Sequence, residues 1–100
     1  MRIKFDWDRA KAASNSAKHG VSFHEAMTVF VDPVARTILD PDHGVDEERW
    51  VTLGAASTGN LVVVVHTWRE VDPNRTDVRI ISARRPTRSE ARQYREERMP

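Results

Sequence analysis

"LVVVVHTWREVDPNRTDVRIISAR", residues 61–84, is the stretch on which the fold turns. Residues 61–68 form an apolar, valine-rich run. That run is too uniform for a strand with one wet face and reads as a central strand covered on both sides. Residues 78–84 read as another strand. Between them "EVDPNRTD" (70–77) carries Asp, Pro and Asn and reads as a turn, so the two strands should be antiparallel neighbours.

Working upstream, "VARTIL" (34–39) and "RWVTLGAA" (49–56) add two strands around the polar turn "DPDHGVDEE" (40–48). "STGN" (57–60) closes a hairpin with Gly59 at a left-handed position. Before these, Asp8 caps an alanine-rich helix, "RAKAASNSAKH" (9–19), which stops at Gly20. Ser22 and Glu25 form a capping box for a second helix over 23–31, stopped by Asp32-Pro33. "IKFDW" (3–7) alternates, as a short edge strand or an extended lead-in. Downstream, Thr87 and Glu90 form another capping box at the start of a last helix. The order ααββββα predicts one α+β domain over residues 1–100. Two N-terminal helices would cover one face of a four-stranded antiparallel sheet, and a C-terminal helix would cover part of the other.

Charge is unevenly spread. Residues 79–100 hold seven arginines, no lysine and three glutamates, whereas residues 1–78 hold nine Lys/Arg against twelve Asp/Glu. A basic quarter on a mildly acidic body suggests one surface that faces a polyanion, although a solvated helix end has the same composition. Arg88, Arg92 and Arg95 recur at i, i+4 and i+7, on one helical stripe. Arg79 should share a strand face with Arg85 if the strand stays regular that far. A guanidinium grips phosphate through two parallel hydrogen bonds, so arginine in place of lysine strengthens the polyanion reading.

Other chemistries find little support. The chain has no cysteine, hence no disulfide frame, thiol nucleophile or Cys-based metal site. It has no phosphate-binding glycine loop, zinc-protease helix or nucleophile elbow. The four histidines (19, 24, 43 and 66) show no spacing for a shared metal, and the acidic group Asp40, Asp42, Asp46, Glu47 and Glu48 reads as a solvated turn. No apolar run approaches the roughly 20 residues of a membrane span, and no signal peptide is visible, so a cytoplasmic protein is expected. RNA cleavage needs none of the missing parts. The substrate supplies its 2′-OH as nucleophile, and the protein positions the phosphate, stabilises its charge and moves protons. His66 reads either as a core histidine or as a functional one. Tyr94 reads as a packed ring, a base-stacking platform or a proton donor.

"FDWDRAKAASNSAKHGVSFHEAMTVFVDP" (5–33) resembles the opening of the BrnT family of bacterial type II toxins, with its F-x-W-D-x-x-K and K-H-G-V-S-F-x-E-A runs. "DPDHGVDEERWVTLG" (40–54), "LVVVVHTWR" (61–69) and "RIISARRPTRSEARQY" (79–94) resemble the rest of that family in order. The resemblance implies a RelE-like fold and a ribonuclease that arrests translation and growth; together with the residue types present, it gives the expectation of a metal-independent enzyme without cofactor. It also implies a BrnA-like ribbon-helix-helix antitoxin, an assembly of two toxins and two antitoxins, and contact with operator DNA through the antitoxin. On this reading Arg79, Arg84 and Arg85 hold the scissile phosphate, and Lys18 and His19, or His66, handle protons. Tyr94 stacks or assists, and Arg69, Arg88, Arg92 and Arg95 bind RNA. The chain departs from the family after His66-Thr67, where Trp68-Arg69 precedes a longer "EVDPNRTD", and at Pro86, where the family often has Ala. A non-catalytic nucleic-acid-binding regulator and an inactive antitoxin-binding homologue are the alternatives.

Overall fold

The structure, a computed structural model, describes residues 2–40 and 48–98. Strand β1 (Arg2–Asp6) leads into helix α1 (Arg9–His19) and helix α2 (Phe23–Met27), which continues as a 3₁₀ turn (Thr28–Val31). Strands β2 (Arg36–Leu39), β3 (Trp50–Ala55), β4 (Leu61–His66), β5 (Arg69–Asp72) and β6 (Arg75–Arg84) follow, and helix α3 (Arg88–Arg98) is the last element among the described residues.

Local chemistry sets these boundaries. The Asp8 carboxylate accepts from Lys11 N, and Gly20 ends α1 at φ 68°. Ser22 Oγ accepts from Glu25 N at the start of α2. Thr87 and Glu90 exchange both bonds of a capping box, Glu90 N to Thr87 Oγ1 at 3.1 Å and Thr87 N to Glu90 Oε1 at 2.8 Å. Gly59 takes φ 90° in the β3–β4 hairpin.

The chain is α+β, but the expected four-stranded antiparallel sheet is wrong. The sheet has six strands and is mixed, in the order β1-β6-β4-β3-β2, with β5 also on β6. β1 pairs with β6 in parallel, from Arg2↔Arg75 to Asp6↔Arg79. Reasoning from consecutive strands cannot see this pairing, because it joins the first strand to the last. β5 overlaps the start of the segment read as a turn (70–77). All four of its residues are exposed, so it has no hydrophobic pattern and owes its strand form to the β6 ladder. The true turn is Pro73-Asn74, closed by Asn74 N on Asp72 Oδ1 at 2.8 Å. β4 and β5 lie end to end along one side of β6, pairing with 80–84 and 75–77 respectively.

A bulge between Val65 and His66 breaks the register of β4 on β6, so His66 faces Ile80 and Val65 faces Ser82. Ile80 and Ala83 therefore both point into the core. This overturns the expected alternation: Arg84, not Arg85, shares the outer face with Arg79.

The core lies between the sheet and the first two helices. Val62 and Val64 of β4 and Val78, Ile80 and Ala83 of β6 pack on Val21, Phe23, Ala26 and Val29. Gly54 lets the 3₁₀ turn approach β3, since a Cβ there would lie 2.8 Å from Val29 Cγ1 and 2.9 Å from Ala35 Cβ. The free edge of β6 beyond β1 is covered by one side chain. Asn15 Nδ2 donates to Ala83 O (2.9 Å) and Val21 O (3.0 Å), and Asn15 Oδ1 accepts from Ala83 N (3.1 Å).

Candidate RNA-binding cleft

Beside the junction of β4 and β5 the chain forms a cleft of about 620 Å³. β1 contributes Lys4, Phe5 and Asp6, and β6 contributes Asp77, Val78 and Arg79. Thr67, Trp68, Arg69 and Glu48 complete the lining. Arg79 comes from the fourth predicted strand and Arg69 from the segment after His66-Thr67, and the parallel β1–β6 pairing adds Lys4. Arg69 and Arg79 are exposed, as is Trp68, whose indole offers a stacking surface.

The electrostatics of the cleft are mixed. Asp77 accepts from Arg75 Nε at 2.9 Å and Nη2 at 3.1 Å, and Arg69 Nη2 lies 3.7 Å from its carboxylate. The Arg75 hydrogen bonds hold the Asp77 carboxyl below its ordinary range, helped by the charges of Arg75, Arg69 and Lys4. Asp77 is thus an ionised anchor for the arginines around it. Asp6 and Glu48 are further carboxylates on the wall.

Thr67 bonds both backbone groups of Arg79. Thr67 N donates to Arg79 O at 3.0 Å, and Arg79 N donates to Thr67 Oγ1 at 2.9 Å. Thr67 is held in turn by His66, whose Nδ1 lies 2.8 Å from Thr67 O. His66 is fully buried, with Phe30 edge-on at 4.8 Å and Trp68 at 6.4 Å. Burial pushes its pKa down, so the ring is neutral at neutral pH. A carbonyl only accepts, so Nδ1 carries the proton and Nε2 is the acceptor. Thr52 Oγ1, 2.7 Å from Nε2, must then donate to it, and takes its own hydrogen bond from Thr37 Oγ1 at 2.7 Å.

The other residues singled out from the sequence lie elsewhere. Lys18 and His19 line a smaller hollow of about 220 Å³ with Lys11, Ser14, Asn15, Ile81 and Ser82. Ser82 lies three residues along β6 from Arg79, about 10 Å at strand rise. Arg84 forms two bonds to Glu90 (2.8 and 3.0 Å), and Arg85 lies 3.7 Å from Glu25. Arg84 thus fastens α3 to β6, and Glu25, which also accepts from Thr58 and Asn60, ties Arg85 and the β3–β4 turn to α2. Tyr94 is buried and donates to Asp32 Oδ2 at 2.5 Å, while Ala55 N donates to the same oxygen. Arg88, Arg92 and Arg95 line a shallow groove on α3 with Pro86, Thr87 and Ala91. Asp42, Asp46 and Glu47 lie outside the described residues. Among the described residues no group of three or more His, Cys, Asp or Glu is arranged to hold a metal ion, and no helix is long and apolar enough to cross a membrane.

Lys4, Glu48 and Asp6 were not found from the sequence. The signal for Lys4 is the alternation of "RIKFD" (2–6), whose polar residues take the outer face once β1 is paired.

Comparison with known families matches residues 7–90 to a family described as the ribonuclease toxin, BrnT, of type II toxin-antitoxin systems. Among curated proteins no relative matches the chain.

Proposed function

The chain belongs to the BrnT family of ribonuclease toxins of type II toxin-antitoxin systems, and from that premise we propose that it is an endoribonuclease that cuts RNA in the β1–β5–β6 cleft. The observation that carries the reading is the convergence of Lys4, Arg69, Arg79 and Trp68, from three separate segments, on one cleft. Arg79 and Arg69 grip the scissile phosphate, Lys4 adds positive charge, and Trp68 stacks on a neighbouring base. The 2′-OH of the RNA attacks the adjacent phosphorus, the P–O5′ bond breaks, and a 2′,3′-cyclic phosphate and a 5′-OH result. No metal takes part. Asp6 and Glu48 are the carboxylates available to take the 2′-OH proton, and Lys4 is the group available to protonate the leaving O5′. RNA leaving the cleft along β6 meets Lys11, Lys18 and His19, which act as backbone contacts.

As a type II toxin the protein has an antitoxin partner. We assign the exposed arginine groove of α3 to a polyanion, either the RNA or an acidic segment of a BrnA-like ribbon-helix-helix antitoxin in an assembly of two toxins and two antitoxins. Its place of action on this reading is the cytoplasm. The test is induced expression in a bacterial host. Wild type arrests growth, and Arg69→Ala/Arg79→Ala relieves the arrest at equal folded protein level. Undiminished arrest by the folded double variant would remove the cleft from the mechanism.

A further inference from the structure

We propose that His66, although sealed in the core, is a positioning residue for the cleft: its Nδ1–H fixes the Thr67 carbonyl and so aims Trp68, Arg69 and Arg79. This inference rests on the cleft being the RNA site. The bulge at Val65/His66 is where β4 stops pairing regularly, and only Thr67 and Trp68 separate it from β5. Two residues at a strand junction would turn freely unless something held their peptide planes. His66 Nδ1 holds the plane between Thr67 and Trp68, at 2.8 Å from the carbonyl. Thr67 then holds both backbone groups of Arg79, through its N–H and its Oγ1. One imidazole thus sets the direction of two cleft walls, β5 and β6, at once.

The ring itself cannot swing. Thr52 Oγ1 holds Nε2 at 2.7 Å, Thr37 holds Thr52, and Phe30 presses edge-on against the ring. The chain Thr37–Thr52–His66–Thr67–Arg79 therefore runs from the sheet edge at β2, across β3 and β4, to the phosphate-gripping arginine on β6. Each bond has a defined direction, because the Thr67 carbonyl at one end can only accept. Catalytic groups displaced by about 1 Å typically lose on the order of 100-fold in rate.

The test separates positioning from mere packing by using two replacements with opposite rankings. His66→Asn retains a donor where Nδ1 was and loses ring volume. His66→Gln retains the volume and a group where Nε2 was, but has no donor toward Thr67. Packing alone ranks Gln above Asn in both stability and RNA cleavage. Positioning ranks Gln above Asn in stability but Asn above Gln in cleavage, with kcat/KM for Gln down about 10- to 100-fold. In an Arg79→Ala background, adding His66→Gln should cause a smaller further loss than it causes in wild type, since one of the groups being aimed is gone while Trp68 and Arg69 remain. A folded His66→Gln enzyme with wild-type kcat/KM beside an inactive Arg79→Ala enzyme overturns the proposal and leaves the cleft reading standing. A fully active Arg79→Ala enzyme overturns both. Should the His66 variants not fold, 15N NMR of the wild-type ring decides. A proton on Nδ1 with bare Nε2 supports the proposal, and a proton on Nε2 alone overturns it.

Discussion

Replacing Asn15 by Ala should destabilise the domain by about 3 kcal/mol. Asn15 is a polar residue at the buried face of α1, and its side chain does the work of a missing strand. It pairs with both backbone groups of Ala83, where β6 has run past the end of β1, and it also satisfies the carbonyl of Val21. Truncation leaves an N–H and two C=O groups without their partner. A buried unsatisfied backbone group costs about 1–3 kcal/mol. The hollow lined by Asn15, Lys18 and Ser82 adjoins this site and can admit water, so the lower end applies to each group. The sum of about 3 kcal/mol is a large share of the roughly 5–15 kcal/mol that holds a domain of this size. It corresponds to a drop in melting temperature of roughly 12–24 °C, at about 4–8 °C per kcal/mol. Urea unfolding followed by circular dichroism measures it. Asn15→Asp should not rescue, because its carboxylate would face the two carbonyls to which the amide now donates. An Asn15→Ala protein within 0.5 kcal/mol of wild type, with an unchanged denaturant slope, would refute the claim that this side chain completes the β6 edge.

Three further outcomes follow from the same geometry. Gly54→Ala should cost about 1–3 kcal/mol, because its Cβ would meet Val29 and Ala35 under 3 Å and one of two packed elements must move, which thermal unfolding would detect. Glu90 is held at a pKa of about 2, below its ordinary 4.5, first by the Arg84 hydrogen bonds. Its folded pKa is depressed, so its contribution is fully present above pH 4.5 and is lost as pH falls toward 2. Both partners are partly exposed, so that contribution is about 1 kcal/mol, and Glu90→Gln should flatten the pH dependence of unfolding in that window. RNA binding should weaken with salt, and Arg69→Ala/Arg79→Ala should reduce the slope of log K against log salt by roughly 1.4, at about 0.7 per lost phosphate contact on a single strand. An unchanged slope would place both arginines off the RNA.

Caps and stops were legible in the sequence because they are local: Asp8, Gly20, the Ser22/Glu25 box, Gly59 and the Thr87/Glu90 box each act within a few residues. β1 and β5 were obscured for opposite reasons. β1 shows alternation, but its partner is the last strand, more than 70 residues away. β5 has a near partner but no buried side chain to mark it. The bulge at Val65/His66 cannot be read from alternation either, and it decides which arginines share a face. Counting arginines gave equal weight to Arg79 and Arg84. Only the fold distinguishes a guanidinium lining a cleft from one committed to Glu90. His66 was visible as a polar residue in an apolar run, and its burial and the Thr37–Thr52 chain show what its two nitrogens do.

The central claim, that this fold carries a ribonuclease site in the β1–β5–β6 cleft, is tested most directly by incubating purified protein with free RNA in EDTA and analysing the product ends. The account predicts discrete fragments with 2′,3′-cyclic phosphate and 5′-OH termini from wild type. It also predicts loss of those fragments in Arg69→Ala/Arg79→Ala, and their persistence in a folded Arg84→Ala protein. Cleavage that stops in EDTA, or that survives loss of both cleft arginines, would contradict it.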